Sequence, residues 1–151
     1  MMQFYRRILI MGILTCILTA CAGERPNSLG VRDGRLSSCP DSPNCVSSQA
    51  ADTGHRIEPL VFSDPADVAL ARLKSLLAGR KDTKIIEEGP GYLRVEFHTT
   101  LFVDDGEFFL DAGRQCIHVR SASRLGYSDL GKNRSRLEEL RRQFAASAPA
   151  Q

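Results

Sequence analysis

Three kinds of apolar spacing divide this chain. Ile8 to Ala20 is an almost unbroken apolar run of thirteen residues that follows Arg6 and Arg7. A membrane-spanning helix needs about 20 apolar residues, so the run is short for a span and suits the hydrophobic stretch of a secretory signal. Farther on, Val68 or Ala69, Leu70, Leu73, Leu76 and Leu77 recur at helical spacing between Ser63-Asp64-Pro65 and Gly79. Ser63 or Asp64 caps the first turn, Pro65 is tolerated there, and Arg72 and Lys74 are expected to face out. The period then shortens to two: from Tyr92 to Thr99, Leu93, Val95 and Phe97 share one face, and Tyr92, Arg94, Glu96 and His98 the other.

Around that strand the pattern predicts a meander. Thr83 to Glu87, centred on Ile85 and Ile86, precedes a Gly89-Pro90-Gly91 turn. Glu107 to Asp111 reads as the third strand, with Phe108 and Leu110 inward and Asp104-Asp105-Gly106 before it as a turn or bulged entry. After Ala112-Gly113, Arg114 to Ser121 is the fourth, with Ile117 and Val119 inward and Cys116, His118 and Arg120 opposite. Ser135 and Glu138 read as a capping box for a last helix striped by Leu137, Leu140 and Phe144. The expected fold is α+β: a four-stranded antiparallel meander packed against two helices in two layers, with a disulfide-pinned N-terminal loop. Turn formers dominate residues 37–59, so little regular structure is expected there. One globular domain over 37–144 is expected, after a signal segment (1–20) and a tether (21–36), with a small-residue tail at 145–151.

The end of the first apolar run sets the address. Leu18-Thr19-Ala20-Cys21 resembles the lipobox of bacterial lipoproteins, in which a peptidase cuts before the Cys and that residue is acylated. Cys21 is therefore the expected lipidation site and a membrane the expected partner; a plain secretory signal or an uncleaved anchor is the alternative. At roughly 0.8 kcal/mol per buried methylene, one acyl chain binds reversibly and two or three hold fast. Ala22, in place of Asp, resembles outer-membrane sorting, with the domain facing the periplasm. In such an oxidising compartment Cys39 and Cys45, around Pro40 and Pro43, form the natural disulfide pair, worth on the order of 2 kcal/mol. The rival is a metal site of Cys39, Cys45 and His55, which lacks a fourth ligand at a familiar spacing. Cys116 reads as a buried free thiol.

Charge narrows the function classes. Removing residues 1–20 takes the formal charge from +2 to zero, so the domain lacks the basic footprint of a nucleic-acid binder. Residues 81–112 hold eight acids and three bases, and residues 113–151 eight bases and three acids. The most distinctive basic stretch runs from Arg120 to Arg136. Arg120, Ser121, Ser123, Arg124, Ser128, Arg134 and Arg136 form a candidate anion site at the entry to the last helix. The competing reading pairs these Arg residues with Asp104, Asp105, Glu107 and Asp111, locking the loop onto the sheet. On the polar sheet face, Arg94, Glu96, His98, Glu107, His118 and Arg120 form either a pocket or an exposed ion-pair lattice. Cys45, Ser47 or Ser48 with His55 and Asp52 could supply a nucleophile, but no Gly-x-Ser-x-Gly elbow is present.

The Cys39-Pro-Asp-Ser-Pro-Asn-Cys-Val-Ser-Ser48 and Arg120–Arg136 stretches together resemble the family catalogued as domain of unknown function 1499. The likeness covers roughly residues 29–144, including Leu29-Gly30, His55, Pro59-Leu60, Phe102-Val103-Asp104-Asp105 and Glu107-Phe108. It implies an exported or membrane-associated bacterial protein with relatives in photosynthetic lineages, and it implies no reaction and no catalytic residues. The expected role is a non-enzymatic, lipid-anchored envelope module binding an anionic small molecule or an envelope protein, with no cofactor. An envelope hydrolase using His55, His98 or His118, and a metal-handling protein, are the alternatives.

Overall fold

The computed structural model describes residues 23–149; the expected signal segment (1–20), the expected lipidation site Cys21 and the last two residues lie outside the described residues. The elements are β1 (Val31–Arg32), β2 (Arg35–Leu36), β3 (Cys45–Ser47), β4 (Leu60–Val61), α1 (Ala66–Ala78), β5 (Thr83–Gly89), β6 (Tyr92–His98), β7 (Val103–Asp111), β8 (Cys116–Ser123) and α2 (Lys132–Ala146). The architecture is α+β, as the spacing predicts. The meander β5-β6-β7-β8 is antiparallel throughout, and β3 and β4 extend it to six strands by pairing side by side along β8.

Period-two alternation fixes which side chains meet the helices. Leu93, Val95 and Phe97 of β6, Phe108 of β7 and Ile117 and Val119 of β8 are buried, and Ala69, Leu73 and Leu77 of α1 and Leu137, Leu140 and Phe144 of α2 close over them. At about 25 cal/mol per Å² of apolar surface removed from water, this layer drives the fold. Register places Gly106 opposite Val95, where a Cβ would lie 2.4 Å from a Phe97 ring carbon and 2.8 Å from a Val95 methyl. Only a residue without a side chain fits. At the β5–β6 hairpin, Pro90 fixes one φ and Gly91 supplies the positive one, 70°.

Several boundaries differ from the pattern. β7 begins at Val103, so Asp104-Asp105-Gly106 belongs to the strand, with Asp104 and Gly106 on the helix face. α2 begins at Lys132, and its exposed amides are met by Asp129, whose carboxylate accepts from the Gly131 and Asn133 N–H groups; Ser135 lies inside the helix and does not cap it. β3 forms within a turn-rich stretch because β8 supplies its hydrogen-bond partners, a nonlocal cause that local composition cannot show. The segment expected as a tether contains the β1–β2 hairpin. Arg72 does not face solvent: it donates to Asp64 at 2.9 Å and lies over the Phe144 ring at 3.9 Å, joining the two helices.

Candidate functional site

The sheet face away from the helices carries the alternating polar residues. Register sets Glu107 between Arg94 and Arg120, and Glu96 beside Asp105. This face is neither an open pocket nor an exposed lattice around Glu107, because the N-terminal segment covers it. Glu107 is fully buried and accepts from the Gly30 N–H at 2.7 Å, the Tyr92 hydroxyl at 2.8 Å and Arg120 Nη1 at 3.1 Å. Burial and the neighbouring Glu107 charge hold the Tyr92 phenol protonated. Arg94, also buried, pairs with Glu87 at 3.0 Å, and Arg120 reaches the Ser38 carbonyl at 3.5 Å.

The Arg120–Arg136 stretch is a structured lock. Arg124 forks onto Asp105 with two contacts of 2.8 Å and reaches Glu96 at 2.5 Å. The Asp105 hydrogen bond, opposed by burial and reinforced by Glu96, raises the Arg124 pKa. Burial alone would raise the Glu96 carboxyl, but the hydrogen bond and charge of Arg124 outweigh it and hold Glu96 below the usual range. Arg136 donates to Asp104 at 2.8 Å and lies over the Phe97 ring at 4.5 Å. Arg134 donates to the Arg56 and Gly54 carbonyls at 2.6 and 2.7 Å. Ser121 donates to Asn133 Oδ1, Ser123 accepts from Asn133 Nδ2, and Ser128 accepts from the Leu130 N–H. The structure thus gathers Ser121, Ser123 and Arg136 between sheet and helix and sets Arg120 and Arg124 on the opposite sheet face, each facing protein partners. Ser128 lies on the outer part of the loop and Arg134 in the first turn of α2.

Asn133, fully buried, organises this region by bonding Ser121, Ser123, Asp129, Arg136 and the Asn44 carbonyl. Sequence reasoning missed it, yet a signal existed. Asn133 continues the apolar stripe of Leu137, Leu140 and Phe144 one turn upstream, where a polar side chain must find partners.

On the other flank, Cys39 and Cys45 are joined in a disulfide, so neither sulfur is free to bind metal with His55 or to act as nucleophile. Among the described residues, no group of three or more His, Cys, Asp or Glu side chains is placed to hold a metal ion. His55 is braced by Asp52 at 2.8 Å and the Ser42 carbonyl at 3.1 Å, while His98, near Glu96 at 3.2 Å, lies at the exposed end of β6. The three His do not converge. A contact that spacing could not reveal joins Ser48 to His118: Ser48 Oγ accepts from the Val119 N–H at 2.9 Å and lies 3.2 Å from His118 Nδ1. His118 Nε2 is 3.7 Å from Asp111. Burial pushes the His118 pKa down, against the pull of Asp111. The order Ser-His-Asp looks catalytic, but Ser48 and His118 are both buried. Cys116, a buried free thiol beside His118, is pushed up by burial.

The profile of a family described as protein of unknown function (DUF1499) matches residues 35–144. The chain belongs to the DUF1499 family. Both signature stretches, 39–48 and 120–136, fall inside the match, and the structure gives each a role: the first carries the disulfide and β3, the second ties its loop to the sheet through Arg124 and Asp105 and the last helix to the sheet through Arg136 and Asp104. No curated protein and no solved structure matches this DUF1499 chain. No helix among its described residues is long and apolar enough to cross a membrane.

Open space on this DUF1499 domain lies beside the disulfide. A cavity of about 260 Å³ is lined by Arg35, Ser37, Ser38, Ser47 and Gln49 among others, and an adjoining one of about 490 Å³ adds Ser28 and Arg32. Arg32 and Arg35 are exposed; Arg35 gives one guanidinium nitrogen to the Gln49 carbonyl at 3.1 Å.

Proposed function

We propose that this DUF1499 protein is a membrane-tethered module of the bacterial cell envelope that binds a small anionic ligand without transforming it. The tether is the acylated Cys21 of the Leu18-Thr19-Ala20-Cys21 motif, and the Cys39–Cys45 disulfide suits an oxidising compartment. The observation that carries the binding reading is the contrast among the guanidinium groups. Arg120, Arg124 and Arg136 face carboxylates and Arg134 faces carbonyls, whereas Arg32 and Arg35 line open grooves rich in Ser hydroxyls. A ligand at the lock would have to displace a carboxylate from Arg120, Arg124 or Arg136; at the groove it meets two cations and Ser hydroxyls. We therefore place the anion beside the disulfide. The hydrolase alternative is weaker because Ser48 and His118 line neither groove.

Calorimetric titration with inorganic phosphate and with a dicarboxylate tests the ligand class. Heat of binding that disappears in Arg35→Ala and persists in Arg124→Ala supports the groove. No binding by the native chain, or binding that survives Arg32→Ala/Arg35→Ala, overturns it. Metabolic labelling with a fatty-acid probe, lost in Cys21→Ser, tests the tether separately.

A further inference from the structure

Five exposed apolar side chains crowd one end of the domain. Leu101 and Phe102 belong to the β6–β7 loop, and Leu125, Tyr127 and Leu130 to the β8–α2 loop, with Leu130 96%, Tyr127 75% and Leu101 63% exposed. The two loops are joined: the Arg124 N–H donates to the Val103 carbonyl, and Phe102, Leu125 and Leu130 line a shared hollow of about 160 Å³. Isolated exposed apolar residues are ordinary, but a contiguous group marks a contact surface. Leu130 is held outward in a backbone conformation unfavourable for a bulky residue, φ 54°, and Asp129 fixes that loop through its bonds to Gly131 and Asn133.

The N-terminal segment arrives at this same end. Gly23 lies so close that a Cβ on it would be 3.0 Å from Leu125 Cγ, and Arg25 reaches Glu96, the partner of Arg124, at 3.7 Å. Cys21 is two residues before Gly23, and two extended residues span at most about 7 Å. A lipid carried on Cys21 would thus be joined to the chain within about 7 Å of Gly23, which itself lies against Leu125.

We infer that Leu101, Phe102, Leu125, Tyr127 and Leu130 embed in the lipid surface that holds the acyl chains, fixing the domain's orientation on the membrane. The inference rests on the acylation of Cys21 proposed above. Charge at the patch agrees: Asp129 is bonded by N–H groups, Asp104 is paired with Arg136, and Lys132 is exposed at the rim. Glu24 is an exposed carboxylate on the approach, placed to stay at headgroup level. With the patch down, β4 and the Cys116 end of β8 point away from the bilayer, since Ser123 at the other end of β8 leads into the patch.

The chain contains no Trp, so a single introduced indole reports one position. Leu130→Trp and Phe102→Trp probe the patch, and Val61→Trp, 69% exposed on β4, probes the far end. Full chain purified from membranes is reconstituted into vesicles of phosphatidylethanolamine and phosphatidylglycerol carrying brominated acyl chains. The expected result is blue-shifted emission at 130 and 102, quenched several-fold more by the brominated lipid than emission at 61. Water-like emission at 130 and 102 in vesicle-bound protein overturns the inference while leaving the tether intact. A blue shift without bromine quenching means that a second copy covers the patch, and also overturns it. If the native chain and Cys21→Ser sediment equally with vesicles, the tether fails and the inference fails with it.

Discussion

Replacing Arg120 by Met strands a charge inside the domain. Glu107 is fully buried, and its ionised form rests on three donors, of which Arg120 supplies the compensating positive charge. Removing one partner of a buried ion pair costs about 3–5 kcal/mol, because the other is left uncompensated in a medium of low polarity. Against a total stability of about 5–15 kcal/mol, that is a large fraction. With a urea slope of about 2 kcal/mol per M, the unfolding midpoint should fall by about 2 M with the slope unchanged. Adding Glu107→Gln to Arg120→Met removes the stranded charge yet keeps an amide oxygen for the Gly30 N–H and Tyr92 hydroxyl. The double variant should recover about half the loss, the remainder being the new amide donors left facing Met at about 1–3 kcal/mol. Circular dichroism against urea measures all three chains. A midpoint lowered by less than about 0.5 M in Arg120→Met, or a double variant weaker than the single, refutes the account of a buried charge pair.

Gly106→Ala forces a methyl against Phe97 and Val95 and should cost about 1–3 kcal/mol, read as a lowered urea midpoint. Opening the small loop with Cys39→Ser/Cys45→Ser should lower stability by about 2 kcal/mol and the melting temperature by roughly 10 °C, an effect that reductant should mimic in the native chain. The folded Glu96 carboxyl titrates below its ordinary value of 4.5, so its contribution is complete above that pH and is lost as pH falls through the folded value. Arg124→Gln should therefore lower stability at neutral pH and flatten the acid limb of the unfolding curve below about pH 4.5; an unchanged acid limb would contradict the lock. Cys116, buried and raised in pKa, should react with a thiol reagent in the native state many-fold slower than in urea.

Legibility followed the range of the interactions. The helices and the meander were readable because Leu73, Leu77, Val95 and Phe97 report their burial through local period. Strands β3 and β4 were not, because two or three residues carry no period, and what makes them strands is β8, far along the chain. The start of β7 was obscured by Asp104-Asp105-Gly106, a turn-like triplet whose acids are bonded by Arg136 and Arg124 and whose glycine is required by Phe97. For the candidate site, the clustering of Arg120, Arg124 and Arg136 was visible in sequence, and so was the supply of acids able to neutralise them. Which carboxylate meets which guanidinium depends on register. The Arg32–Arg35 groove depended on a hairpin inside a segment whose Gly and Pro content reads as a tether.

The position of β8 bears on how the chain folds. It is the last strand made, yet β7 on one side and β3 and β4 on the other all draw hydrogen bonds from it. The Cys39–Cys45 loop can oxidise early, while it is still attached to nothing; β3 itself must wait. A chain that emerges N-terminus first therefore carries unfinished edges until its final third arrives, and then closes the sheet from both directions in one step. Nascent chains stalled before Cys116 should be the form that proteases clear fastest.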